Sequence, residues 1–103
     1  MTADVNIDKA KLAEICRRHH VRLLALFGSA LGLGFDPHSS DLDFLVDFEP
    51  LSPVEHADAF FNLMDAISEL TGRQVDLVER HAIRNPFFLQ AVNSRQEVLY
   101  VAA

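Results

Sequence analysis

Cysteine is nearly missing from this chain of 103 residues: Cys16 stands alone, so no intrachain disulfide can form and the fold must hold without a covalent staple. A lone cysteine agrees with a reducing compartment, and the expected location is cytoplasmic. Long apolar runs are also lacking. No segment approaches the roughly 20 apolar residues that a membrane-spanning helix needs. Met1 to Asn6 has neither the basic start nor the apolar stretch of a secretory signal. Repeats, low-complexity tracts and linkers are absent, so a single domain over residues 1–103 is expected. Basic residues are scarce, nine against fifteen acidic, for a formal net charge of -6. That balance argues against direct nucleic-acid binding, which rests on neutralising phosphates with Lys and Arg. Between Phe27 and Asp43 there is no Lys or Arg at all, and His38 is the one residue there that can become cationic.

Half of the chain is apolar, enough for one core. A domain this small is marginally stable and can lean on an oligomeric interface, so a homo-oligomer is one expected assembly. Alternating patterns divide the chain into helices and strands. Lys9 to His20 places Leu12, Ile15, Cys16 and His19 on one face and ends in basic residues that suit a helix C-terminus. Leu23 to Phe27 is an unbroken apolar run, the mark of a central strand covered on both faces. From Asp41 to Glu49 residues alternate, with Leu42, Phe44, Val46 and Phe48 on the expected core face and Asp41, Asp43, Leu45, Asp47 and Glu49 on the other.

Ser52-Pro53-Val54-Glu55 is a capping box with proline at the first helical position, opening a helix expected to run to Thr71 and stop at Gly72. Its apolar stripe, from Ala57 and Phe60 to Ile67 and Leu70, should cover one face of the sheet. Arg73 to Glu79 reads as another strand, with Asp76 turned away from Val75 and Leu77. Asn85-Pro86 resembles a helix start, and Glu97 to Val101 a closing strand. The pattern predicts an α/β (α+β) fold, a small mixed sheet with helices packed mainly on one face.

Chemistry concentrates at the strand ends. Gly28-Ser29 follows the first strand, where glycine permits a sharp turn and backbone N–H groups with the Ser29 hydroxyl can face an anion. Asp41 and Asp43, two apart on a strand, must project to the same side. At about 4 Å and an effective dielectric near 20, two such charges repel by roughly 4 kcal/mol, so the pair needs a proton or a cation. A hard divalent ion with oxygen ligands is the natural one. Should the strand of Asp76 lie alongside, three carboxylates converge beside a Gly-Ser turn, an arrangement suited to phosphoryl or nucleotidyl transfer. Ser40 either braces Asp41 or shapes the turn. The scattered histidines read as solvated or structural, and Asp47 and Glu49 as solvated; of the pairs Phe60/Phe61 and Phe87/Phe88, one member each should pack inward and the other face out.

Phe27-Gly28-Ser29, Ser40-Asp41-Leu42-Asp43 and Val75-Asp76-Leu77-Val78, in this order and spacing, resemble the minimal nucleotidyltransferases of the polymerase-beta-like superfamily, whose smallest members include prokaryotic antitoxins. The resemblance spans Ile7 to Val101 and implies the nucleotidyltransferase fold. It further implies ATP as substrate, Mg2+ as cofactor with two ions possible, and transfer of AMP to a tyrosine hydroxyl of a small helical HEPN toxin, an RNase, with this chain as the antitoxin. In that scheme Asp41, Asp43 and Asp76 are both metal ligands and catalytic groups, and Gly28, Ser29 and Ser40 hold the nucleotide. The chain differs from the family pattern in a loop one residue longer between Ser29 and Asp41, and in Leu31, Gly32 and Leu33 where a basic residue often stands. A reading of another class is an antitoxin of the same fold that only masks its toxin. Transfer to a small molecule would call for an added acceptor domain.

Overall fold

The computed structural model describes residues 7–27, 42–87, 89–90 and 96–102. Helix α1 (Lys9–Arg18) begins at Asp8, whose carboxylate accepts the Lys11 N–H at 3.1 Å, and ends with Arg17 and Arg18 in its last turn. It stops two residues short of the predicted His20. His20 instead takes a left-handed conformation at φ 62°, turning the chain directly into β1 (Val21–Phe27). Strand β2 (Leu42–Phe48) leads to α2 (Pro53–Thr71). The expected capping box is formed: Ser52 Oγ accepts from Glu55 N, and Glu55 Oε1 accepts from Ser52 N. Gly72, at φ 67°, ends α2 in the left-handed conformation that glycine adopts without a side-chain clash. Then come β3 (Val75–Glu79), a short 3-10 turn over Arg80–Ala82 that periodicity did not reveal, and β4 (Glu97–Val101). At the predicted helix start, Asn85 Oδ1 accepts from Phe87 N at 2.9 Å, and helical residues follow from Pro86.

The four strands form one mixed sheet in the order β3-β2-β1-β4. Strand β1 pairs antiparallel with β2 and with β4, whereas β2 and β3 run parallel and are joined by α2 as the crossover that parallel neighbours require. Leu42, Phe44, Val46 and Phe48 face the helices, packing with Leu24 and Leu26 of β1, Leu12 and Cys16 of α1, and Leu63 and Ile67 of α2. Burial holds the Cys16 thiol at a pKa of about 12, above its ordinary 9.0, as expected of a structural rather than a reactive cysteine.

The far face of the sheet was expected to be polar, and here the structure corrects the reading. Leu45 is fully buried with Ala25 and Phe27 in a second, smaller cluster, against which Leu23, Val78 and Ile83 pack. The cause lies in β1: an unbroken apolar strand exposes side chains on both faces, and the residue opposite Ala25 on β2, Leu45, completes the covering. No helix among the described residues is long and apolar enough to cross a membrane.

Candidate active site

Three neighbouring strands, β1, β2 and β3, meet in a single register line. Phe27, the last residue of β1, pairs with Asp43 of β2, and Asp43 pairs with Asp76 of β3. In parallel strands, in-register residues project to the same face about 4.8 Å apart. Asp43 and Asp76 are therefore neighbours on the sheet face away from the helices, since Leu42, Phe44, Val75 and Leu77 on either side of them belong to the helix-side core. Asp43 is half-buried and Asp76 exposed. The backbone beside them is tied down: Leu42 N donates to Gln74 O at 3.0 Å, which holds the starts of β2 and β3 together. Beside the acids on the same sheet face, Phe27, Ala25 and Leu45 form an apolar floor.

Gly28, Ser29, Ser40 and Asp41 lie outside the described residues, as do His38 and Phe88. Chain connectivity fixes only that Gly28 follows the register line directly and that Asp41 precedes Asp43 by two. Among the described residues no three His, Cys, Asp or Glu side chains gather as a metal site. Sequence reading overlooked Leu45 as part of the floor, although the apolar alternation of β1 carried the signal. Asp47, read as solvated, lies at the surface, where its carboxylate accepts from Arg22 at 3.2 Å, four positions along β2 from Asp43. His56 and Glu79 pair at 2.5 Å on the helix side, with the His81 ring 6.2 Å from His56. Neither histidine shares a face with Asp43. Arg73, three residues before Asp76, has its backbone held by Ser68 and Thr71.

A mixed sheet with helices on one side and paired carboxylates on the open face is the architecture of nucleotidyl-transfer enzymes, and the chain belongs to the polymerase beta nucleotidyltransferase family, whose model matches residues 10–102. Among its relatives is "Putative protein adenylyltransferase MJ0128" of Methanocaldococcus jannaschii, 32% identical over 102 residues, with 89% of this chain and 96% of the relative aligned. A solved structure described as "putative minimal nucleotidyltransferase" is 30% identical, covers 86% of each chain and superposes with a TM-score of 0.64. The fold is shared as well with a chain in the complex of tri-AMPylated Shewanella oneidensis HEPN toxin with an MNT antitoxin. That match has a TM-score of 0.60 and 21% identity, and it covers 91% of this chain and 70% of the other.

Proposed function

We propose that this chain is a Mg2+-dependent protein adenylyltransferase that moves AMP from ATP to a tyrosine hydroxyl of a HEPN-type toxin, and so serves as a cytoplasmic antitoxin. The observation that carries the reading is the opposition of Asp43 and Asp76 across β2 and β3, at the strand end from which Gly28-Ser29 departs. The name of the archaeal relative supports protein adenylylation, and the Shewanella complex supports a HEPN toxin as partner and AMP as the transferred group.

In the proposed reaction the toxin hydroxyl oxygen attacks the α-phosphorus of ATP, the bond from that phosphorus to the bridging oxygen breaks, and pyrophosphate leaves. Asp43 and Asp76, with Asp41, would hold one or two Mg2+ ions. The donor set fits: carboxylate oxygens side by side on a strand end are what a hard cation takes. A bound ion supplies charge neutralisation at the triphosphate and acidifies the attacking hydroxyl. Asp76, the exposed member, is the group on hand to take the hydroxyl proton. Gly28 and Ser29 would hold the phosphates with Ser40.

The test is mass spectrometry of the toxin after incubation with this chain, ATP and Mg2+. Wild type should add the mass of one or more AMP units, and Asp43→Ala should abolish the addition while leaving the complex intact, because a metal-binding carboxylate affects turnover far more than docking. A masking antitoxin is the second reading, favoured by the lack of any Lys or Arg between Phe27 and Asp43 that could grip a triphosphate. Toxin neutralised with no nucleotide added by wild type would select it.

A further inference from the structure

Helix α2 has two apolar faces where closing one side of a sheet needs one. Ala59, Leu63 and Ile67, four residues apart, are buried against the strands. On the outer side Val54, Ala57 and Phe61, at i, i+3 and i+7, form a second stripe, with Val54 73% and Phe61 61% exposed. Phe60 links the two faces, packing in part against the core while its ring meets that of Phe61 edge to face at 5.2 Å between centroids. An outward phenylalanine seated on an inward one is a fixed anchor rather than a loose side chain.

The charge on this helix has one sign. Helix α2 carries four carboxylates, Glu55, Asp58, Asp65 and Glu69, and no Lys or Arg. Asp58 and Asp65 run along the edge of the Val54 and Phe61 stripe, and among the described residues neither they nor Glu69 has an ion-pair partner. Arg18, which with His19 and His20 flanks Glu55 and Asp58 on the α1 side, pairs with Glu14 of its own helix at 3.0 Å.

We infer that the outer face of α2 is a docking surface for a basic amphipathic helix of another protein, with Val54 and Phe61 as apolar anchors and Asp58 and Asp65 as charge partners. Anchors at i, i+3 and i+7 match the spacing by which one helix reads another. Charge decides the occupant. A second copy of this chain would bring two acidic rows together with no Lys or Arg on either α2 to offset them, and an anionic membrane would meet the same acidic row. The surface lies on the helix side of the sheet, opposite Asp43 and Asp76, so a protein seated there leaves the acid pair open.

The test uses the full chain and a fluorescently labelled Leu/Lys amphipathic helical peptide, with a Leu/Glu peptide of the same pattern as control, read by anisotropy. The basic peptide should bind, more weakly as salt rises, and the acidic one should not. Phe61→Asp, and separately Asp58→Lys with Asp65→Lys, should each weaken binding about tenfold or more, while Asp43→Asn should leave it unchanged. These positions face solvent, and circular dichroism checks that the variants fold; if Phe61→Asp does not, Val54→Asp reads the same surface. Equal affinity in wild type and the charge-reversed variant would overturn the proposal. So would sedimentation showing a dimer that Phe61→Asp dissolves, which would give the face to a second copy.

Discussion

Replacing Asp76 with asparagine should make the melting curves of variant and wild type cross as Mg2+ is added. Without metal, the substitution removes one of two like charges held in register. At about 5 Å the repulsion is roughly 3 kcal/mol for an effective dielectric of 20 and below about 1 kcal/mol in water. Asp76 is exposed, so the screened end applies. Asp76→Asn should then stabilise the metal-free chain by at most about 1 kcal/mol, or roughly 4–8 °C in a domain of this size. With Mg2+ at a hundredfold excess over Kd, wild type gains about 2.7 kcal/mol, because the ion binds only the folded state. The variant has lost a ligand and should gain little. It therefore melts above wild type in EDTA and below it in saturating Mg2+. Differential scanning fluorimetry over a Mg2+ titration reads both arms. Curves that shift in parallel, with the same Mg2+ increment in both proteins, would place the ion elsewhere and refute the shared-ion reasoning.

Other expectations follow from single contacts. Ser52→Ala should lower stability by about 1 kcal/mol through loss of the capping box, read as a drop in denaturant midpoint at unchanged slope. The bond from Ser52 holds the Glu55 carboxyl below its ordinary pKa, so this contribution is present above the usual carboxylate range and is lost as pH falls through it. The acid limb of the wild-type stability profile should be flatter in Ser52→Ala. His20→Gly should raise Tm, since a residue other than glycine held at φ 62° costs roughly 1–2 kcal/mol; an unchanged or lower Tm would mean that the His20 side chain contributes more than the strain removes. Burial keeps Cys16 protonated, with its folded pKa raised to about 12 from 9.0. The unfolded chain therefore loses this proton first, and stability should fall as pH rises from about 9 towards 12. Thiol reagents should label Cys16 at the rate of unfolding, and prompt labelling of native protein would contradict its burial.

Helices and strands were legible wherever two independent signals agreed. Helix α2 carried a capping box, a proline at its first position, an apolar stripe and a glycine stop, and its bounds fall where those residues stand. Strand β4 matched its predicted span, Glu97–Val101. The end of α1 was misread because His19 continued the apolar period, whereas termination depends on His20 accepting a left-handed conformation, which periodicity does not encode. Leu45 was misread for a related reason: period two assigns a residue to a face, but whether that face is covered depends on the neighbouring strand. The adjacency of Asp43 and Asp76 needed the order of the strands, which no local pattern contains. From the residues alone the convergence of the acids was conditional on where the Asp76 strand lay, and only the family resemblance implied the fold that sets them together.

The register of β2 has a consequence for how this chain can fail. A slip of one position against β3 would turn Asp43 and Asp47 into the helix-side core and Phe44 and Val46 out of it, burying charge at a cost of several kcal/mol each. Such a state is expelled on stability alone. A slip of two keeps every residue on its proper face and destroys only the opposition of Asp43 and Asp76. Hydrophobic patterning cannot detect that error, and one safeguard is the backbone bond from Leu42 N to Gln74 O at 3.0 Å, which joins the starts of β2 and β3. The short turn from Gly72 to Gln74 thus acts as a vernier for the acid pair, and lengthening it by two residues should yield a well-folded chain whose carboxylates no longer meet.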